Sequence, residues 1–242
     1  MQIHAKTDRG LKRTQNQDAF NFGVVGSNAA WAVVCDGMGG SAAGNVASAG
    51  ATEVFSTAMA ENFKPTTEPA TAQRLMVRAI DSANAAVFKA AEQKQELEGM
   101  GTTVVACTVI NGSVSIANVG DSRAYLLRNG TVTQLTTDHS VVQSMLENGQ
   151  LTADEAKNHP NKNIITRAVG VAPDVTVDLY NCELQQQDIL LLCTDGLTNC
   201  VSPQQLAEFA ESAPPEQLPE QLIAAALQAG GPDNITAVIL RQ

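Results

Sequence analysis

A chain of 242 residues, 44% hydrophobic and 17% charged, has globular composition, which excludes a disordered or fibrous protein, and its length suits one large domain or two small ones. Its formal net charge of -10 repels a nucleic-acid backbone, and its one basic cluster, Arg9, Lys12 and Arg13, is enough for a single phosphate group but not for a duplex. No apolar run approaches the ~18 residues of a membrane span, and the opening MQIHAKTDRG lacks a signal core. Five cysteines (Cys35, Cys107, Cys182, Cys193, Cys200), none in a CxxC pair, predict packed free thiols in a reduced, cytoplasmic setting.

In chain order, AFNFGVV (19–25) and WAVVC (31–35) read as strands joined by GSNAA, a hairpin. A helix over about residues 43–60 follows, with a seam of small residues, Ala47, Gly50, Ala51 and Ala58, suited to close packing on a sheet. A second, over about residues 70–96, sets Met76, Ile80, Ala83, Val87 and Ala91 at spacings of three and four, one apolar stripe. Asn111-Gly112 and Asn129-Gly130 each divide alternating apolar runs, the mark of two-residue hairpin turns in antiparallel sheet. A polar stretch with a capping box at residues 152–155 comes next, then strands over about 175–182 and 188–193. Ser202, Pro203 and Gln205 start a helix, another spans about 216–229 before Gly230-Gly231, and NITAVILR closes the chain as a strand. Segregated strands and helices without repeats predict an α+β fold in one domain, 1–242.

The acids follow those strands. Asp36 ends the strand in VVCDGMGG and Asp18 opens its hairpin partner, so the two should meet at one sheet edge. Asp195 follows ILLLCT and Asp233 precedes NITAVIL, which puts them on a shared edge if those strands are antiparallel neighbours. Asp121, in ANVGDSR, closes a return strand and read alone is equally an ordinary turn residue. Five crowded carboxylates require a cation, and all-oxygen ligands point to Mg²⁺ or Mn²⁺. Ca²⁺ is less suited, because the regular twelve-residue calcium loop is absent. The glycines after Asp36 keep the space clear, so that the Gly37 carbonyl can itself approach a metal.

TDRGLKRTQNQDAF, VVCDGMGG, MGTTVVA, ANVGDSRAYLL, LTTDHS, ITRAVG, LLLCTDGLTN and GGPDNITAV occur in this order from Thr7 to Val238. Together they resemble the bacterial branch of the metal-dependent protein phosphatases, type 2C. The resemblance implies a four-layer α-β-β-α sandwich of two antiparallel sheets flanked by helices, with a metal cleft at one edge and a flap at about 140–163. It implies that Asp36 bridges two Mn²⁺ or Mg²⁺ ions, that the Gly37 carbonyl binds one of them, and that Asp195 and Asp233 bind the other. Asp18 would act through a metal-bound water, Asp121 with Asp195 would hold a weaker third ion, and Arg13 would grip the substrate phosphate. The implied reaction is hydrolysis of phosphoserine or phosphothreonine in proteins by a metal-bound water, opposing a serine/threonine kinase, in a monomer. No cysteine begins a C-x₅-R loop, so no covalent intermediate is expected.

Three departures qualify the match. Met38 and Ser41 stand where many relatives carry a histidine, leaving leaving-group protonation to a metal-bound water; His139 reads as structural or flap-related. Gln17 stands where many relatives carry Glu. The alternatives are a catalytically silent phosphatase-like module that binds phosphoproteins or senses metal, disfavoured because Asp36, Asp195 and Asp233 are all present, and a Ca²⁺-binding structural protein.

Overall fold

A computed structural model describes residues 1–157 and 159–242, and only the backbone at 41, 42, 153 and 157. Its elements begin with β1 (Gln2–Asp8), β2 (Asp18–Val25), β3 (Ala29–Met38), α1 (Gly40–Asn62), α2 (Pro69–Gln93) and β4 (Gly101–Thr102). They continue with β5 (Val104–Ile110), β6 (Ser113–Val119), β7 (Arg123–Arg128), β8 (Thr131–Gln134), α3 (Val141–Glu147) and α4 (Ala153–Lys157). The chain closes with β9 (Asp178–Glu183), β10 (Ile189–Cys193), α5 (Asp195–Thr198), α6 (Pro203–Ser212), α7 (Leu218–Gln228) and β11 (Ile235–Arg241).

One sheet has the order β1-β11-β10-β7-β8, the other β2-β3-β5-β6-β9 with β4 added on β3, and every pairing is antiparallel. Both Asn-Gly pairs make their turns: Asn111 and Gly112 have φ of 50° and 87°, Asn129 and Gly130 50° and 73°, the left-handed pair that matches strand twist. ILLLC shows no alternation because β10 is buried on both faces. Leu190 and Leu192 enter the core between the two sheets with Val34, Ile116 and Val238. Leu191 turns the other way, to the helices α6 and α7, among Leu206, Leu222 and Ile239. Each of these leucines is fully buried and contributes about 1.5–3 kcal/mol of transfer free energy. On the far side of the second sheet Trp31, Val33 and Cys35 pack on Phe55, Met59, Met76 and Ile80 of α1 and α2. The layers are therefore helix, sheet, sheet, helix.

Several boundaries differ from the sequence reading. QIHAKTD alternates too weakly to read as a strand, yet it is recruited by β11 along all seven of its residues. Helix α2 stops at Gln93, because Lys94 takes an extended φ of -137° and ψ of 115°, after which a 3-10 turn at Gln95–Leu97 buries Leu97. β9 starts at Asp178, and residues 175–177 lie outside it. β3 runs past Asp36 to Met38, since Gly37 and Met38 pair with Thr102 and Gly101 of β4.

Candidate active site

One edge of the sandwich opens into a cleft of about 470 Å³ whose lining includes Asp36, Asp121, Asp195 and Asp233, with Arg13 as its one lining cation among the described residues. Antiparallel register carries the acids there. Asp18 of β2 pairs directly with Asp36 of β3. Cys193 pairs with Ala237, so Asp195, just beyond β10, and Asp233, just before β11, leave the first sheet at the same end. Asp121 sits in the turn between β6 and β7. Asp18 does not line the cleft; it lies behind the floor. There its Oδ2 accepts from Thr194 Oγ1 at 2.9 Å and Thr236 Oγ1 at 2.6 Å.

Backbone contacts fix the acids' supports. The Asp36 N–H donates to Thr103 Oγ1 at 2.9 Å, and its carbonyl accepts from Thr102 Oγ1 at 2.9 Å. Packing also requires a glycine at 37: a Cβ there would lie 2.0 Å from the Gly44 carbonyl oxygen of α1. Gly196 obeys the same constraint, because its Cβ would lie 1.9 Å from the Asn234 carbonyl oxygen. Both Asp-Gly pairs thus let a second backbone segment pack against the acid's own.

Arg13 is engaged with Asp233, Nε to Oδ1 at 2.8 Å and Nη2 to Oδ2 at 2.8 Å. Residues the sequence reading passed over hold this end of the site. Asn234 donates to the Arg9 and Gln15 carbonyls at 2.8 and 2.9 Å and accepts from the Gln17 N–H at 2.8 Å, stapling the loop that carries Arg13. The Gln17 side chain donates to the Gly40 carbonyl at 2.8 Å. Asn234, Thr194 and Thr236 all lie inside GGPDNITAV and LLLCTDGLTN, where their polarity beside apolar strands was the available signal. Met38 lines the cleft; the side chain of Ser41 lies outside the described residues.

The acids pay heavily for their company. Burial, then the charges of Asp18, Asp195, Asp121 and Asp233, push Asp36 well above the ordinary carboxylate range. Burial also raises Asp195, with Asp233 adding to it. The Asp121 carboxyl is pushed up to about 7 by burial, with Asp195 and Asp138 contributing. Asp18 likewise reaches about 7: burial outweighs its two threonine hydrogen bonds, and Asp195 and Asp233 add to the rise.

Among the described residues no three acid, imidazole or thiol groups stand in a ready-made metal-ligating arrangement. The residues nonetheless fit hard divalent cations. Oxygen donors line the cleft, with no histidine or cysteine among its described residues, and Asp18 Oδ1 is buried with no hydrogen-bond partner, an acceptor left for a ligand or its water.

Comparison with known proteins gives a consistent result. Residues 10–228 match the family model "Protein phosphatase 2C". The chain is 41% identical over 248 residues to the "Serine/threonine phosphatase stp" of Listeria monocytogenes, covering 100% of this chain and 96% of that protein. The crystal structure of serine/threonine phosphatase Stp1 from Staphylococcus aureus superposes with a TM-score of 0.91 at 34% identity, covering 99% of this chain and 94% of that one. The catalytic domain of the phosphatase PstP, in complex with 2 manganese ions, superposes with a TM-score of 0.84 at 34% identity, covering 98% and 96%.

Proposed function

This chain belongs to the protein phosphatase 2C family and is a metal-dependent serine/threonine protein phosphatase, and on that premise we propose how its cleft divides the work. Asp36, Asp195, Asp233 and the Gly37 carbonyl would hold two Mn²⁺ or Mg²⁺ ions, with Asp18 acting from behind the floor and Asp121 with Asp195 supporting a weaker third. Unaided phosphate monoester hydrolysis is among the slowest of reactions, and enzymes accelerate it by up to about 10²¹-fold. The bound cations supply an activated water and neutralise charge on the phosphoryl oxygens.

The chain's own residues bind and orient. The planar fork of Arg13 suits two phosphate oxygens, and its bidentate grip on Asp233 is the same geometry offered to another oxyanion. The leaving-group proton would come from water in the cleft; among the described residues no histidine lines it, and the His139 ring is buried elsewhere, engaged by Gly120 and Asp178. The wider reading is a single domain over 1–242, a monomer, in the cytoplasm, opposed by a serine/threonine kinase. The pairing of β1 with β11 supports the single domain, and five free cysteines support the reduced, cytoplasmic setting.

The observation that carries the assignment of roles is the convergence of four carboxylates from separate turns and strands on one cleft. Hydrolysis of a phosphothreonine peptide with Mn²⁺ should fall by at least about a hundredfold in Asp36→Asn, since the lost ligand would serve both ions. Retention of most of the activity would remove Asp36 from the site.

A further inference from the structure

His139 lies outside the cleft lining, yet it is only 8% exposed and its polar atoms are engaged. Its Nδ1 accepts the Gly120 N–H at 2.9 Å. Its own N–H donates back to the Gly120 carbonyl at 3.0 Å, and its carbonyl accepts the Thr166 N–H at 2.8 Å. An imidazole nitrogen that accepts an N–H keeps its lone pair, so the ring proton of the neutral side chain sits on Nε2. Nε2 stands 3.1 Å from both Asp178 Oδ2 and Arg167 Nη1; with the proton on Nε2 and a guanidinium able only to donate, the ring's bond runs to Asp178. Arg167 Nη1 holds the other oxygen of the same carboxylate at 2.6 Å. Burial would raise Asp178, but the hydrogen bonds from Arg167 and His139 hold it below the ordinary range. A charged acceptor, itself anchored, therefore orients the ring.

Two functional segments hang on that ring. Gly120 immediately precedes Asp121; its φ is +105° and a Cβ would lie 2.6 Å from the Thr103 side chain, so the peptide before Asp121 is confined by Thr103 on one side and by His139 through its N–H. His139 also stands at the base of the segment 140–167. Ser140 bridges Ile165, the Val141 N–H donates to the Ile164 carbonyl at 2.9 Å, and Asn163 and Ile165 line the cleft.

We propose that His139, oriented by Asp178 and Arg167, is a positioning residue that fixes the Gly120–Asp121 turn and the base of the 140–167 segment as one unit. The place of Asp121 in catalysis rests on the phosphatase reading above; the clamp itself does not. Its consequence is that the acid and the facing wall of the cleft keep a constant separation through a residue that touches neither substrate nor ion.

Two substitutions separate the ring's two ends. In His139→Asn the amide oxygen sits near the place of Nδ1 and can accept from Gly120, but falls short of Asp178. In His139→Gln the amide reaches towards Asp178 and leaves the Gly120 N–H unpaired. Amide hydrogen exchange at Gly120 and Thr166 reads the clamp directly, and kcat and KM for a phosphothreonine peptide with Mn²⁺ read its effect. We expect His139→Gln to exchange Gly120 about tenfold faster and lose about tenfold in kcat with KM nearly unchanged, the worth of one hydrogen bond. His139→Asn should keep most of both, and Asp178→Asn should loosen Gly120 and Thr166 together by a smaller factor. Unchanged Gly120 exchange in a folded His139→Gln, or equal kcat losses in the Asn and Gln variants, would overturn the clamp. A wild-type protein that hydrolyses no phosphopeptide would instead sink the functional reading, while the exchange pattern still decides the clamp.

Discussion

Away from the cleft, Asp138, Asp178 and Asp188 each face an arginine: Arg123 at 2.6 Å, Arg167 at 2.6 Å and Arg128 at 2.6 Å. In the cleft, Asp36, Asp121 and Asp195 chiefly face other acids. Asp178 and Asp188 shift in the opposite direction to Asp36, Asp121 and Asp195. Burial would raise Asp178 and Asp188, but their hydrogen-bonding arginines hold both below the ordinary range. Burial and like charge drive the cleft acids above it. The outer acids serve the fold; the cleft acids oppose it unless a cation joins them.

Substitutions sharpen that contrast. Asp36→Asn is expected to have the largest effect, the activity loss of at least about a hundredfold given above, together with a rise in the melting temperature of the cation-free protein, because a buried like charge is gone. A fall in melting temperature would erase the contrast with the outer acids. Next, Thr236→Val removes the 2.6 Å donor from Asp18. Second-layer contacts of this kind are worth about 10- to 100-fold in metal affinity, and Mn²⁺ binding measured by calorimetry should weaken by that order while Thr236→Ser recovers most of it.

A smaller effect is the pH dependence of the cation-free fold. Asp18 and Asp121 sit at about 7 in the folded chain, against about 3.9 when unfolded. The folded state binds these protons more tightly. Their contribution to stability is therefore fully present below about pH 4 and is lost as pH rises through 7. Thermal melts should show the cation-free protein losing several degrees between pH 5 and pH 8, with Mn²⁺ reversing the loss at pH 8. The lowered groups, Asp178 and Asp188, change nothing in that window, because their contribution is lost only in more acid solution. A flat profile would contradict the raised values. Smallest of all, Asp188→Asn, remote from the cleft lining, should lower the melting temperature by a few degrees and leave kcat unaltered.

Much of the cleft was legible because a strand end and the acid beside it are both local in sequence. Antiparallel pairing of 19–25 with 31–35 brings Asp18 opposite Asp36 without any further information. β1 was not legible, because its pairing with β11 joins residues at opposite ends of the chain and nothing in QIHAKTD itself announces the partner. The packing constraint on Gly37 was not legible for a similar reason: the atom that excludes a side chain there is the Gly44 carbonyl of the following helix, and close backbone approach leaves no periodicity to detect. Asn234 and Thr236 sat in plain view beside Asp233, but their partners, in residues 9–18, are more than two hundred positions away. Side-chain hydrogen bonds across that distance follow from the fold and not from spacing.

The central claim is that the cleft's carboxylates are a cation site. Calorimetric titration of the cation-free protein with Mn²⁺ at pH 8 tests it most directly. Two ions should bind per chain in the wild type, with binding severely weakened in Asp36→Asn and unchanged in Asp188→Asn. A wild-type protein that takes up no Mn²⁺, or an Asp36→Asn protein that binds as the wild type does, would contradict it.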